Sequence, residues 1–415
     1  MMEFGLIGEK LGHSFSPQIH RCFGGYDYRL CPLSEADMET LVRSRQFRGL
    51  NVTIPYKRAV LPLCDEISDT VREVGSANTL VMRDGKLTAY NTDLPGFLFM
   101  LDRAGISLTG KKVVILGSGG TSLTAQAACR KRQAGEVVVV SRQGRVTYDD
   151  LYTRHLDAQV IINATPVGMY PNNLVSPVDL GPFSGLTGVA DVIYNPARTA
   201  LMMDAEERGI PCTGGLTMLA AQGWYAARLF LDREIPEDRL ALAYCAVRRQ
   251  TLNLALVGMP GSGKSTLGRM AAQRLGRRFV DLDAEIEKRY GPIPEIFASQ
   301  GEQAFREMES QVIRQFGKES GLVIAAGGGA VLRRENVRAL RQNAAVVWIQ
   351  RDIDQLSTEG RPLSTGWEAL LRMERDRTPL YRAAADAAVR NDRAPEAALE
   401  QVLEGFDACA CDKWA

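Results

Sequence analysis

No stretch of this 415-residue chain approaches the ~18 consecutive apolar residues of a membrane-crossing helix. The opening MMEFGLIGEK also lacks a basic segment leading into a long apolar one, so a soluble, cytoplasmic chain is expected. An excess of either charge is lacking too. The 50 Lys+Arg and 49 Asp+Glu leave a net charge of +1, which argues against a protein that coats nucleic acid or a membrane surface. Small-molecule substrates are expected instead. Cysteine is present but unpatterned: Cys22, Cys31, Cys64, Cys129, Cys212, Cys245, Cys409 and Cys411 show no C-x-x-C spacing. Neither a disulfide framework nor a zinc site is indicated, and reduced thiols are expected. Internal repeats and low-complexity tracts are absent, and the three histidines, His13, His20 and His155, are read as structural.

The rest of the pattern is organised. At roughly 150 residues per domain, the length suggests about three domains. Two units of strand, glycine-rich turn and helix divide the chain. The first is KKVVILGSGGTSLTAQAACRKR, with a strand over Val113 to Leu116 and a turn through Gly117, Ser118, Gly119, Gly120 and Thr121. Ser122 stands where the fingerprint for dinucleotide binding has its third glycine. EVVVVSR follows as another buried strand, completing a βαβ pattern. An acidic residue at the end of that strand would bind the ribose hydroxyls of NAD. Ser141 and Arg142 stand there instead, and a guanidinium suits a 2′-phosphate, so NADP is the expected cofactor.

The second unit is GMPGSGKST, residues 258–266, after the apolar run Leu254 to Val257. Gly258, Gly261, Ser262 and Gly263 let the backbone curl until its N–H groups face phosphates; Lys264 adds a point charge, Ser265 an oxygen for magnesium, and Thr266 completes the loop. This predicts a nucleoside triphosphate site without naming the acceptor. Between the units, LDREIPEDRLALAYCAVRRQTLN has no long Gly/Ser stretch, so the junction near Arg249 to Thr251 is expected to be short and partly helical.

Four short stretches lie ahead of the first unit: GHSFSP with Ser14 and Ser16, NVTIPYK with Thr53 and Lys57, SANT with Asn78, and YNTD with Asn91 and Asp93. Singly, each has a plain structural reading. Ser16 with Pro17 makes a helix start, Asp93 a helix cap and Lys57 a solvated charge. Together with NATPVGM (163–169), DVIYNPART (191–199) and GGLTMLAAQ (214–222), they resemble shikimate dehydrogenase over roughly residues 3–248. The resemblance implies reversible reduction of 3-dehydroshikimate to shikimate by NADPH, in a cleft between a substrate domain and a Rossmann domain. It assigns Ser14, Ser16, Thr53, Asn78, Asp93, Tyr194 and Gln222 to the polyhydroxy acid. Lys57 would give a proton to the carbonyl oxygen with Asp93 orienting it, and Val192 and Gly215 would join the NADP contacts. The sequence departs from the family pattern at Arg21, where asparagine is usual, in the short segment that follows it, and in SRQG where N-R-T is common.

After the phosphate loop come FVDLDAEIE with Asp281 and Asp283, GEQAFREME with Arg306, AAGGGAV with Gly328, GRPLS with Arg361 and RDRTPLY with Arg377. Their order resembles shikimate kinase over residue 252 to about residue 404. The resemblance implies that Asp283 binds the acceptor hydroxyls and helps deprotonate the attacking one, while Asp281 supports magnesium through water. Arg306, Arg377 and the Gly328 N–H would grip the substrate carboxylate, and Arg361 would stabilise the transferring phosphoryl group of ATP.

The expected fold is α/β throughout. A substrate-binding domain over 1–98, completed by about 222–248, carries a Rossmann NADP domain over 99–221; a parallel-sheet P-loop domain of the nucleoside monophosphate kinase kind spans 251–405, with a tail over 406–415. The expected function is bifunctional: NADPH makes shikimate and ATP then phosphorylates it at the 3-hydroxyl, two steps toward chorismate and the aromatic amino acids. Two alternatives are a quinate-type dehydrogenase fused to a small-metabolite kinase, and a metabolite-sensing regulator. Retention of Lys57, Asp93, Lys264, Ser265 and Asp283 argues against the regulator.

Overall fold

The computed structural model describes residues 2–12, 14–356 and 367–411. Arg361 lies outside them. The chain divides into two compact units, the first covering 1–169, 175–194 and 199–247 and the second 170–174, 195–198 and 248–415. Among the described residues, no helix is long and apolar enough to cross a membrane.

The first unit holds two sheets. In one, β1 (Met2–Gly8), β2 (Tyr28–Pro32), β3 (Phe47–Val52), β4 (Glu66–Ile67), β5 (Thr79–Arg83) and β6 (Lys86–Tyr90) run in the order β2-β1-β3-β5-β6-β4. Its β1–β2, β1–β3 and β4–β6 pairs are parallel, and β5 is antiparallel to both β3 and β6. The other sheet is wholly parallel, with β7 (Lys112–Leu116), β8 (Glu136–Val140), β9 (Val160–Asn163), β10 (Gly188–Asp191) and β11 (Cys212–Thr213) ordered β11-β10-β9-β7-β8. Parallel strands need both faces covered, and β7 shows how its sequence does this. Val113 and Ile115 pack with Phe97, Leu101 and Ala128 on one face, while Val114 and Leu116 pack with Leu151 and Leu201 on the other.

The second unit repeats this logic. Here β12 (Asn253–Val257), β13 (Phe279–Asp281), β14 (Val323–Ala325), β15 (Ala344–Gln350) and β16 (Ala387–Arg390) form a parallel sheet ordered β13-β14-β12-β15-β16. Along β12, Ala255 and Val257 join Ile286 and Phe305, and Leu254 and Leu256 join Leu267, Val402 and Phe406. A strand's side chains alternate with period two, so this apolar run feeds two cores. The functional loops leave the C-terminal ends of these strands, as is general in such sheets.

Two features differ from the sequence reading. The last helix, Pro395–Cys411, continues through most of the expected tail because its buried stripe, Leu399, Val402, Phe406 and Ala410, keeps helical spacing to the end. Reduced thiols hold for Cys22, Cys31, Cys64, Cys129, Cys212 and Cys409. Cys245 and Cys411, however, are disulfide-bonded.

Candidate active sites

Each unit contains its own pocket. In the first, a cavity of about 480 Å³ is lined by Ser14, Ser16, Thr53, Lys57, Asn78, Asp93, Thr121, Val192, Tyr194, Gly215 and Gln222. All the substrate residues expected for the first half therefore meet around one space.

The geometry there follows from a division of labour in YNTD. The helix Asp93–Arg103 needs a cap, and Asn91 supplies it: its Oδ1 accepts from Leu94 N at 3.1 Å, while its amide donates to the Ser76 carbonyl at 2.9 Å. Asp93 is thereby released from capping. Lys57 Nζ donates to Asp93 Oδ2 at 2.6 Å, and Asn78 Nδ2 donates to Asp93 Oδ1 at 3.0 Å. The same Asn78 amide lies 3.3 Å from Gln222 Oε1, and Asn78 Oδ1 accepts from Thr92 N at 2.7 Å. Asn78 is buried and held from several sides, so it fixes the carboxylate that fixes the lysine.

Ser14 and Ser16 sit where the chain enters the helix Ser16–Arg21. Ser14 Oγ donates to Ser16 Oγ at 3.1 Å and accepts from Ser16 N at 3.2 Å. Behind them lies a buried layer that was not assigned a role from sequence. His20 stacks on Tyr28 with ring centroids 4.0 Å apart, its Nδ1 shares a 2.6 Å hydrogen bond with the Tyr26 hydroxyl, and Tyr28 OH donates to Asn51 Oδ1 at 2.7 Å. Burial lowers the His20 pKa to about 3, against a smaller raising effect from Asn51, so the ring is neutral.

On the cofactor side, the helix Gly120–Lys131 begins directly after the β7 turn. At Gly119 and Gly120 the space a side chain would fill is open, which leaves room for a pyrophosphate against the helix N-terminus. Gly215 is needed for a different reason: a Cβ there would lie 1.9 Å from the Val192 carbonyl oxygen. Arg142 is exposed beyond the end of β8, close enough to Tyr148 that its charge opposes the upward push of burial on that phenol. Asp191, at the end of β10, was another unassigned residue. It accepts from Asn163 Nδ2 (3.1 Å), Ile193 N (3.0 Å) and Thr199 Oγ1 (2.7 Å), anchoring the loop that carries Val192 and Tyr194.

The second unit has a cavity of about 510 Å³ lined by Gly261, Gly263, Lys264, Ser265, Thr266, Asp281, Asp283, Arg306, Glu309, Gly328 and Arg377, among others. Lys264 opens the helix Lys264–Leu275 and donates back to the Gly258 and Met259 carbonyls at 3.0 and 2.8 Å. Ser262, whose backbone is in the loop, does not line this cavity; its carbonyl accepts from Asn391 Nδ2 at 2.8 Å. Ser265 Oγ donates to Asp281 Oδ2 at 2.6 Å. Asp281 also caps the helix Leu282–Tyr290 through Asp283 N at 3.2 Å and Ala284 N at 3.4 Å. As in the first unit, one residue performs the capping and the neighbouring acid, Asp283, lines the pocket.

The end of the pocket that holds both arginines is built around the glycine triplet. Arg377 Nη1 and the Tyr381 hydroxyl donate to the Gly328 carbonyl at 3.0 and 2.5 Å. Arg306 is held between Glu302 at 3.0 Å and Glu309 at 2.9 Å. A Cβ on Gly327 would lie 2.7 Å from Asp283 Oδ1 and 2.8 Å from Glu309 Oε1, so both carboxylates close on the same bare backbone. Glu309 was not assigned from sequence, although its spacing from Arg306 is the i,i+3 of a helical pair. Burial raises its pKa against the pull of Arg306 and with a push from Asp283.

A Rossmann-type sheet whose cleft pairs an ammonium with a carboxylate among hydroxyls, and a phosphate-loop pocket flanked by acid and arginines, define an oxidoreductase and a phosphotransferase in one chain. The comparisons with known proteins agree. Residues 6–80 match the family model of the shikimate dehydrogenase substrate binding domain, and residues 260–406 match that of shikimate kinase. The NADP(+) shikimate dehydrogenase of Caldicellulosiruptor bescii is 36% identical over 259 residues, covering 56% of this chain and 90% of that enzyme. A chorismate mutase/shikimate 5-dehydrogenase fusion from Clostridium acetobutylicum superposes with a TM-score of 0.56 at 33% identity, covering 59% of this chain and 96% of that one. The Thermus thermophilus shikimate 5-dehydrogenase, solved with NADP(H) and shikimate, gives a TM-score of 0.54 at 29% identity, over 60% and 99% of the two chains. The chain belongs to the shikimate dehydrogenase family and carries a shikimate kinase domain after it.

Proposed function

We propose that this chain reduces 3-dehydroshikimate to shikimate with NADPH and then phosphorylates shikimate at its 3-hydroxyl with ATP. The carrying observation is a match of chemistry between the pockets. The second presents Arg306 and Arg377 for a carboxylate and Asp283 for ring hydroxyls. The first is a reductase pocket whose product would have those groups.

The cofactors fit the residues present. NADPH supplies hydride and magnesium-bound ATP the phosphoryl group. In the first pocket, Ser14 and Ser16 hold the substrate carboxylate, and Thr53, Asn78, Tyr194 and Gln222 the hydroxyls. Lys57 gives its proton to the carbonyl oxygen, and Asp93, fixed by Asn78, keeps the ammonium aimed there. In the second pocket, Asp283 takes the proton of the attacking hydroxyl while Lys264 leaves its two loop carbonyls for phosphate oxygens. The Ser265 hydroxyl and Asp281 carboxylate are hard oxygen donors suited to magnesium that keeps several waters. Arg361 completes the phosphoryl contacts in this reading. Soluble, cytoplasmic action on small metabolites suits both chemistries.

Calorimetric titration with shikimate tests the pairing of pockets. Two sites per chain are expected, one removed by Ser14→Ala with Ser16→Ala and the other by Asp283→Ala with Arg377→Ala. A single site in the unaltered protein would contradict the proposal.

A further inference from the structure

The first unit holds a second cavity, of about 570 Å³, that neither proposed reaction uses. It opens between the end of the helix Ser16–Arg21 and the segment leading into the helix Glu237–Thr251. Arg21, Arg233 and Arg239 line it, and among the described residues no ion pair is recorded for any of their guanidinium groups. Two of the nearby acids are engaged elsewhere: Asp232 pairs with Arg83 at 3.0 Å, and Glu234, the one acid in the lining, pairs with Arg228, while Glu237 and Asp238 at the start of the next helix lie outside the lining. Buried Phe23 and Ile235 supply an apolar floor. Half-buried Cys22 lines the same cavity; burial raises its thiol pKa, and the charges of Arg21 and Arg239 partly oppose that rise.

We propose that this cavity binds a small polyanion, a phosphorylated or polycarboxylic metabolite, gripped by Arg21, Arg233 and Arg239. Three unpaired guanidinium forks around one concave space are the arrangement that planar oxyanions satisfy, and the volume suits a small metabolite. The cavity is separate from the pocket of Lys57 and Asp93, since the two share no lining residue. It gives the arginine that departs from the family pattern at position 21 a ligand-binding role beyond the two reactions.

Cys22 provides a reporter that phosphate sites elsewhere in the chain do not disturb. The full-length protein is alkylated with iodoacetamide at constant ionic strength, and the Cys22 peptide is followed by mass spectrometry with inorganic pyrophosphate, with citrate, or with chloride alone. Pyrophosphate or citrate is expected to slow Cys22 alkylation about tenfold when present at about ten times its dissociation constant, with Cys212 unaffected. The better protector identifies which oxyanion class the site prefers. In Arg21→Gln with Arg239→Gln, the half-protecting concentration is expected to rise by roughly tenfold per arginine, the size of a lost charge-assisted hydrogen bond. Absence of protection by either anion at millimolar concentration, or equal protection in the double variant, would overturn the proposal.

Discussion

Replacing Lys57 by alanine should stop hydride transfer while leaving phosphoryl transfer intact. The Lys57 ammonium lies 2.6 Å from Asp93 Oδ2, and Asp93 is only 14% exposed, so the lysine is aimed by a nearly buried carboxylate. General acid assistance of this kind is worth ~10²- to 10⁴-fold, which corresponds to ~2.7 to 5.5 kcal/mol of barrier. Dehydroshikimate reduction followed by NADPH absorbance should lose that factor in kcat. ADP formation from added shikimate, followed with a coupled assay, should keep its rate, because Lys57 is not among the residues that line that pocket. Asp93→Asn probes the same pair more finely. Asp93 accepts from Lys57 through one oxygen and from Asn78 through the other. However an asparagine amide is turned, its NH₂ group must face one of those two donors, so a loss of about tenfold or more is expected. If Lys57→Ala kept most of its kcat and raised only KM, Lys57 would be a binding group and the proton-donor reasoning would fail.

Three further outcomes follow from the geometry. Arg142→Ala should raise KM for NADPH by about tenfold and leave NADH kinetics unchanged, since only the 2′-phosphate needs the guanidinium; equal effects on both would refute its role. Asn391→Ala leaves the Ser262 carbonyl without its 2.8 Å donor beneath the phosphate loop, so KM for ATP should rise by about tenfold, with KM for shikimate unaffected, in steady-state kinase assays. His20 has a folded pKa of about 3, below its ordinary 6.5, so its neutral form contributes stability that is complete above ~6.5 and lost as pH falls toward 3. Between about pH 7 and about pH 4.5 that loss approaches ~3 kcal/mol, so the urea midpoint of dehydrogenase activity should fall faster with acid in the unaltered protein than in His20→Phe.

Much of this was legible in the sequence where chemistry demands a fixed spacing. The phosphate loop could be read because glycines, lysine and serine must follow a strand in that order. Lys57 and Asp93 could be matched by motif, but their contact could not, because 36 positions of chain separate them and only the fold closes that distance. His20 was read as structural, and Asn51 and Tyr28 drew no reading. Their role as a layer behind the serines depends on strands brought together by sheet pairing. Asp191 and Glu309 escaped because each becomes informative only once it is known to be buried, although Glu309 carries a local signal in its i,i+3 spacing from Arg306. The helical continuation to Cys411 had a sequence signal in the spacing of Phe406 and Ala410, which reads as helix once Val402 is known to face the core.

The central claim is that one chain performs both steps on one ring. Dehydroshikimate, NADPH and magnesium-ATP incubated with the purified protein should consume one NADPH per ATP and accumulate shikimate 3-phosphate, identified by mass. Omission of NADPH should abolish ATP consumption, and added shikimate should restore it. NADPH oxidation with shikimate accumulating unphosphorylated, or ATP consumption without phosphorylated shikimate, would contradict the account.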